Sequence, residues 1–284
     1  MAGFSRIKEL VNCQVSEGNT QYSSFRKISS NVTSAGIWYD MSMFSGNPVA
    51  NFYASSPLIA ETLDGDKGIY HGQNVSPMKK FVGKITTFAV SANAVPITMM
   101  LCDYLLYYPF VDMDSTDEQA LDNTNTLPRY ESGEGVKMFL VALTPYTGSG
   151  TFTITYTNSD GVSGRTTDII TSNVSTSISS FIHSGPVAKS FGPFIPLAQG
   201  DRGVRSVESI TFITTNGGLC AIVLVKPLCQ TTIREITAPR ENDYFINTPS
   251  MPNIIDGAYL NFIALTNASI STIPISGDIT TIWN

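Results

Sequence analysis

The chain has 284 residues, of which 42% are apolar and only 14% charged, with a formal net charge of −6. That length can bury a substantial core without disulfides or metals, but the charged fraction falls well below the roughly 25% of average soluble proteins. An acidic balance without any long Lys/Arg run excludes a basic nucleic-acid footprint, and the small basic spots at Arg26-Lys27, Lys79-Lys80, Arg202 and Arg205 read as solvated loops.

Ser, Thr and Asn take the place of the missing charge. Neutral polar surface costs less to dehydrate, so it suits a chain whose outside meets other protein chains. The first predicted element is a short helix in "FSRIKELVNCQV", with Phe4, Ile7, Leu10 and Val11 on one face. The start lacks the continuous apolar core of a signal peptide, and no run approaches the ~20 apolar residues of a membrane span. Synthesis in the cytosol without classical export is therefore expected. Residues 21–80 are loop-rich and aromatic, and no helical period survives their Gly, Pro and Asn breakers. This irregular N-terminal region, 1–80, is expected to carry inter-subunit contacts.

From Phe81 onward the pattern is β. "FVGKITTFAVSAN" and "VPITMMLCDYLLYY" read as a strand pair around Asn93-Ala94, followed by a strand in "GVKMFLVALTP". The clearest signal is "TFTITYTNSDG", where Thr151, Thr153, Thr155 and Thr157 alternate with Phe152, Ile154 and Tyr156. That period of two gives one apolar and one hydroxylated face, and "NSDG" supplies residues that tolerate a hairpin turn. Further strands are predicted in "STSISSFIH", "VESITFITTN", "LCAIVLVKP", "TTIREITA", "YLNFIALT" and "STIPISGDITTIWN". "LCAIVLVKP" is apolar on both faces, as a central, doubly covered strand requires. Short strands at about ten-residue spacing indicate a sandwich or barrel. The expected fold is all-β: an antiparallel, jelly-roll-like β-sandwich over 81–284, with few short helices.

Tests for chemistry return little. The acid cluster Asp112, Asp114, Asp117, Glu118 and Asp122 fails the EF-hand pattern, because Asp117 stands where Gly is needed and Asn123 where Glu is needed. "STDEQ" reads instead as a helix start or turn, with Ser115 as N-cap and Glu118 as its capping-box partner. Nucleophilic catalysis would have to use His71 or His183, and neither lies in a nucleophile-elbow context. His71 reads as a loop hydrogen-bonder. Cys13, Cys102, Cys220 and Cys229 lack zinc-ligand spacing and are expected to be reduced and structural. No catalytic, cofactor-binding or metal-ligating residue is assigned, no cofactor is expected, and the chain is not expected to be an enzyme.

The stretches "GIYHGQNVSP", "LCDYLLYYPFVDMDSTDEQALDNTNTLPRY", "YTNSDGVSGRTT", "GPFIPLAQGDRGVRSVESI", "REITAPREND" and the ending "DGAYLNFIA…TIWN" resemble a group of virion-associated structural proteins of tailed bacteriophages. The resemblance runs from about residue 30 to the end. It implies a component of the phage particle, located on the virion, and brings no catalytic residues with it. Among particle parts, a capsid decoration (cement) protein that bridges capsid subunits is expected, with the major capsid protein or another virion protein as partner. A homotrimer is expected by analogy, and neither nucleic acid nor membrane is an expected partner. The competing readings are a tail, baseplate or head–tail connector component, and a carbohydrate-binding module.

Overall fold

Two long apolar runs, Ile97–Asp112 and Leu219–Ile233, pair antiparallel along nearly their whole length and form the middle of the molecule. The computed structural model describes residues 4, 6–91, 95–174, 177–236, 238–246 and 251–284. In chain order the elements are helix α1 (Ile7–Val15), β1 (Thr20–Ile28), β2 (Ile37–Asp40), β3 (Ser45–Asn47), β4 (Glu61–Thr62), β5 (Lys80–Ala89) and β6 (Ile97–Asp112). There follow β7 (Gln119–Ala120), β8 (Lys137–Ala142), β9 (Thr151–Asn158), β10 (Arg165–Thr166), β11 (Ile170–Thr171), β12 (Val204–Thr214) and β13 (Leu219–Ile233). The last are β14 (Arg240–Asp243), β15 (Asn253–Ile254), β16 (Tyr259–Thr266) and β17 (Pro274–Trp283). Two 3-10 turns, Met41–Met43 and Gly65–Lys67, complete the set.

The fold is all-β, with three antiparallel sheets in a sandwich-like arrangement. A central sheet runs β2-β16-β6-β13-β8, with β4 on β6. A terminal sheet, β14-β5-β17-β1-β3, joins the two ends of the chain, and a threonine-rich sheet runs β10-β9-β12-β7. Alternation divides the faces of the central sheet. On one face Ile97, Met99 and Leu101 of β6 with Leu260 and Phe262 of β16 pack on the terminal sheet. Farther along the same face Met138, Leu140, Ile222 and Leu224 pack on Phe152, Ile154, Tyr156, Ile210 and Phe212 of the threonine sheet.

The opposite face turns inward around Trp38, Tyr104, Phe139, Val141, Val223, Val225, Tyr259 and Ile263. Residues 179–182 close it. Phe181 donates its N–H to Trp38 O (2.8 Å) and Asp40 donates to Ser179 O (2.9 Å) on the β2 edge; Ala142 donates to Ser180 O (2.9 Å) and Ile182 donates to Leu140 O (3.2 Å) on the β8 edge. The segment thereby bridges β2 and β8, the two outer strands of the central sheet, and closes it into a ring at that end.

Several expectations are corrected by this arrangement. β5 and β6 lie in different sheets and form no hairpin; Asn93 and Ala94 lie outside the described residues. β6 is buried on both faces and needs cover on both sides, whereas β5 alternates and belongs to an outer layer. "LCAIVLVKP" and the start of "TTIREITA" form the single strand β13. Pro227, which has no N–H to give, is accommodated where the register shifts between Pro227 and Cys229. "STSISSFIH" contributes the closing segment rather than a strand of its own. "STDEQ" forms a turn that leads straight into β7, with no helix. The N-terminal 80 residues are not set apart: β1 pairs with β17 and β2 with β16, so both outer and central sheets depend on them.

Two buried ion-bearing clusters tie loops to this frame. Asp103 and Arg129 form a bidentate pair (Nε to Oδ2 2.9 Å, Nη2 to Oδ1 2.7 Å), and Arg129 also donates to Leu63 O and Tyr104 O. Inside the ring Asp40 accepts from Tyr104 Oη (2.7 Å), Tyr53 Oη and both the N–H and hydroxyl of Ser42. Burial pushes the Asp40 carboxyl up from its ordinary range. Beside it Lys27 donates to Phe44 O (3.0 Å) and Pro48 O (2.7 Å), so the aromatic N-terminal loop is bound from beneath.

Candidate functional site

Helix α1 lies on the outer face of the terminal sheet. Leu10 and Cys13 turn inward against Ile282, with Phe4 and Phe81 at the margin, and the Cys13 thiol donates to Trp283 O at 3.0 Å. Burial pushes that thiol upward, so it stays protonated and packs as a small hydrophobe. The expected single apolar face is thus split. Leu10 packs inward, whereas Ile7 and Val11 point out, joined by Val15. Their exposures of 67%, 50% and 79% form a stripe at i, i+4 and i+8.

A depression of about 270 Å³ runs beside the helix, walled by Tyr22 and Phe245, with Leu10 and Ile282 below and Lys84 and Asp243 at its rim. Tyr22 and the adjoining Ile246 are well exposed. The helix stripe is an apolar surface beside a groove of mixed lining, which also includes Gln14 and Thr280, and it has a rigid support, because β17 beneath it is paired on both sides by β1 and β5. Burying three branched aliphatic side chains is worth about 1.5–3 kcal/mol each. Association costs about 4–15 kcal/mol, so one such contact holds a partner only weakly.

The residues weighed for chemistry do not converge. Asp112, Asp114, Asp117 and Asp122 are exposed, and their oxygens serve local turns: Asp112 Oδ1 accepts from Asp114 N–H (2.9 Å) and Asp122 Oδ1 from Thr124 N–H (2.7 Å). Glu118 accepts from Ser209 Oγ at 2.6 Å, which pins β7 to β12. Among the described residues no group of three or more His, Cys, Asp or Glu is placed to hold a metal ion. No described helix is long and apolar enough to cross a membrane. All four cysteines are free thiols.

Both histidines are buried. His183 lies on Phe181 (centroids 5.5 Å apart), accepts from Leu140 N–H at Nδ1 (3.3 Å) and donates from Nε2 to Pro193 O (3.1 Å). Burial lowers it to about 4. His71 donates from Nε2 to Ala258 O (2.9 Å), and its Nδ1 accepts from Lys80 Nζ (3.1 Å). Burial first, then the Lys80 ammonium, lower it to about 4.

Sequence reasoning missed Asp103–Arg129, Lys27 and Lys80. A lone charge inside an apolar run, as in "LCDYLLYY", was the available signal for Asp103. Nothing local marks Arg129, whose partner lies 26 residues away.

No family model matches the chain, and no curated protein matches it. Among solved structures, that of the infectious bursal disease virus Gt strain aligns with 93% of this chain and 80% of its own, at 7% identity and a TM-score of 0.19. The infectious bursal disease virus VP2 subviral particle aligns with 98% of this chain and 88% of its own, at 10% identity and a TM-score of 0.18. Likeness at that level carries no argument about fold or role.

Proposed function

We propose that the chain is a structural component of a tailed-bacteriophage particle, a capsid decoration protein that bridges capsid subunits and is not an enzyme. The observation that carries this reading is the outward stripe Ile7-Val11-Val15 on a helix anchored by its other face. An amphipathic helix that offers apolar anchors at i, i+4 and i+8 is a common mode of groove recognition. Its occupant is an apolar groove on a neighbouring virion subunit. The contact is weak singly and effective in many symmetric copies, because each engaged copy or protomer raises the effective concentration of the next. A homotrimer suits that multivalency. The sparse charge of the chain, the bridged central sheet and the sequence resemblance support the same reading.

The test is binding of purified chain to particles that lack it. Wild-type protein is expected to co-sediment with particles, and Val11→Asp is expected to stay in the supernatant while melting at the wild-type temperature. Equal co-sedimentation of Val11→Asp would overturn the assignment of α1 as the docking element.

A further inference from the structure

A second surface lies apart from α1, where the loop 64–74 crosses the turn at Gly257. It encloses a cavity of about 490 Å³, walled by Asp64, Tyr70, His71, Gln73, Asn74 and Gly257. That volume falls within the 300–1,000 Å³ of small-ligand sites. The wall is thin. A Cβ on Gly68 would stand 2.7 Å from Leu260 N, and one on Gly65 2.9 Å from Ala258 O, so the loop backbone lies flush on β16.

The loop is also held from beneath with unusual thoroughness. Lys80, 1% exposed, donates to Gln73 O (2.8 Å), Gly72 O (3.3 Å) and His71 Nδ1. His71 fixes Ala258 O, Thr281 Oγ1 donates to His71 O (3.0 Å), and Ile69 N–H donates to Leu260 O (2.8 Å). The Asp256 carboxylate accepts from Val75 N–H (3.0 Å) and Ser76 N–H (2.8 Å) and faces Lys80 Nζ at 3.8 Å. Burying an ammonium and an imidazole costs several kcal/mol before their partners are counted. Here that cost goes into fixing the shape of a polar hollow.

The groups left over face outward. Tyr70 is 50% exposed, and its Oη accepts from Gln73 Nε2 at 3.2 Å. The Asp64 carboxylate and the Asn74 amide have no hydrogen bond to the described residues. An aromatic face, a carboxylate that only accepts and amides that both donate and accept match a ring with an apolar C–H face and equatorial hydroxyls. Among the described residues of the wall, the charge free to meet a ligand is the negative Asp64, since Lys80 is consumed below, so an anion is disfavoured. We infer that this cavity is a pre-organised binding site for a neutral carbohydrate ring, stacked on Tyr70 and hydrogen-bonded by Asp64, Gln73 and Asn74. Pre-organisation removes the ordering cost that would otherwise oppose so small a ligand. The inference goes beyond the particle role and does not depend on it, since the site is complete in one chain.

The test uses the full chain and saturation-transfer NMR with four neutral probes at millimolar concentration: maltotriose, cellotriose, mannotriose and tri-N-acetylchitotriose. Sialyllactose serves as the anionic comparison. Transfer to at least one neutral probe is expected, weakened roughly tenfold or more in Kd by Tyr70→Ala and by Asp64→Asn. Both variants should melt as wild type, because these side chains are exposed. Transfer to none of the neutral probes, transfer indifferent to both substitutions, or stronger transfer to sialyllactose would each overturn the inference.

Discussion

His183 sits where the ring closes, and its ring must stay neutral to accept from Leu140 N–H. Both histidines are held at about 4, below the ordinary value near 6.5. Between those values the unfolded chain binds protons that the folded chain refuses, so the histidines' contribution is present above about pH 6.5 and is lost as pH falls toward 4. Asp103 works the other way: burial pushes its carboxyl up to about 6 against the pull of Arg129, so the fold takes up a proton there. The histidine effect is therefore read ring by ring. Imidazole Cε1–H shifts followed by NMR should stay nearly unchanged from pH 7 to about 5.5 and move only as pH approaches about 4. A titration centred near 6.5 would mean that the rings are not buried as described. At the same scale, Arg129→Met strands a buried carboxylate and should cost about 3–5 kcal/mol in urea unfolding, whereas adding Asp103→Leu should restore most of it. An equal loss in the double variant would show that packing, not charge, dominates the site.

At the scale of the element, β9 is where sequence and structure agree best. Its period-two pattern places Phe152, Ile154 and Tyr156 fully inside and the threonines on the other face. Ile154→Asp puts an unpaired charge into that layer and should leave no cooperative melting transition, while Thr153→Val should shift stability by no more than about 0.5 kcal/mol. A soluble, cooperatively melting Ile154→Asp would contradict the register. The acid turn after β6 is expected to be dispensable: Asp112→Ala with Asp114→Ala should change stability by about 0.5 kcal/mol or less, with or without added calcium, as measured by thermal unfolding. Strong calcium-dependent stabilisation of the wild type would reverse that view. The closing segment 179–182 was not legible as such. Its role comes from two edges far apart in sequence, and no local periodicity encodes that. The same holds for Lys80, whose neighbours Gly72, Gln73 and Asp256 meet only after β5 and β16 are in place. The split of α1 was hidden too, since a stripe of apolar residues does not say which of them its own sheet will cover.

At the scale of the whole molecule, the central ring has its inner face filled with aromatic side chains and its outer face shared between two sheets. The two chain ends are paired to each other through β1 and β17. The plan offers a firm block with an apolar helix stripe on one surface and a polar hollow on another. A block of that kind is useful in many copies. The most direct measurement is quantitative mass spectrometry of purified particles. The chain is expected there in a copy number of the order of the major capsid protein's. Absence from the particles, or a copy number that is only a small multiple of three or six, would contradict the assignment to the capsid surface.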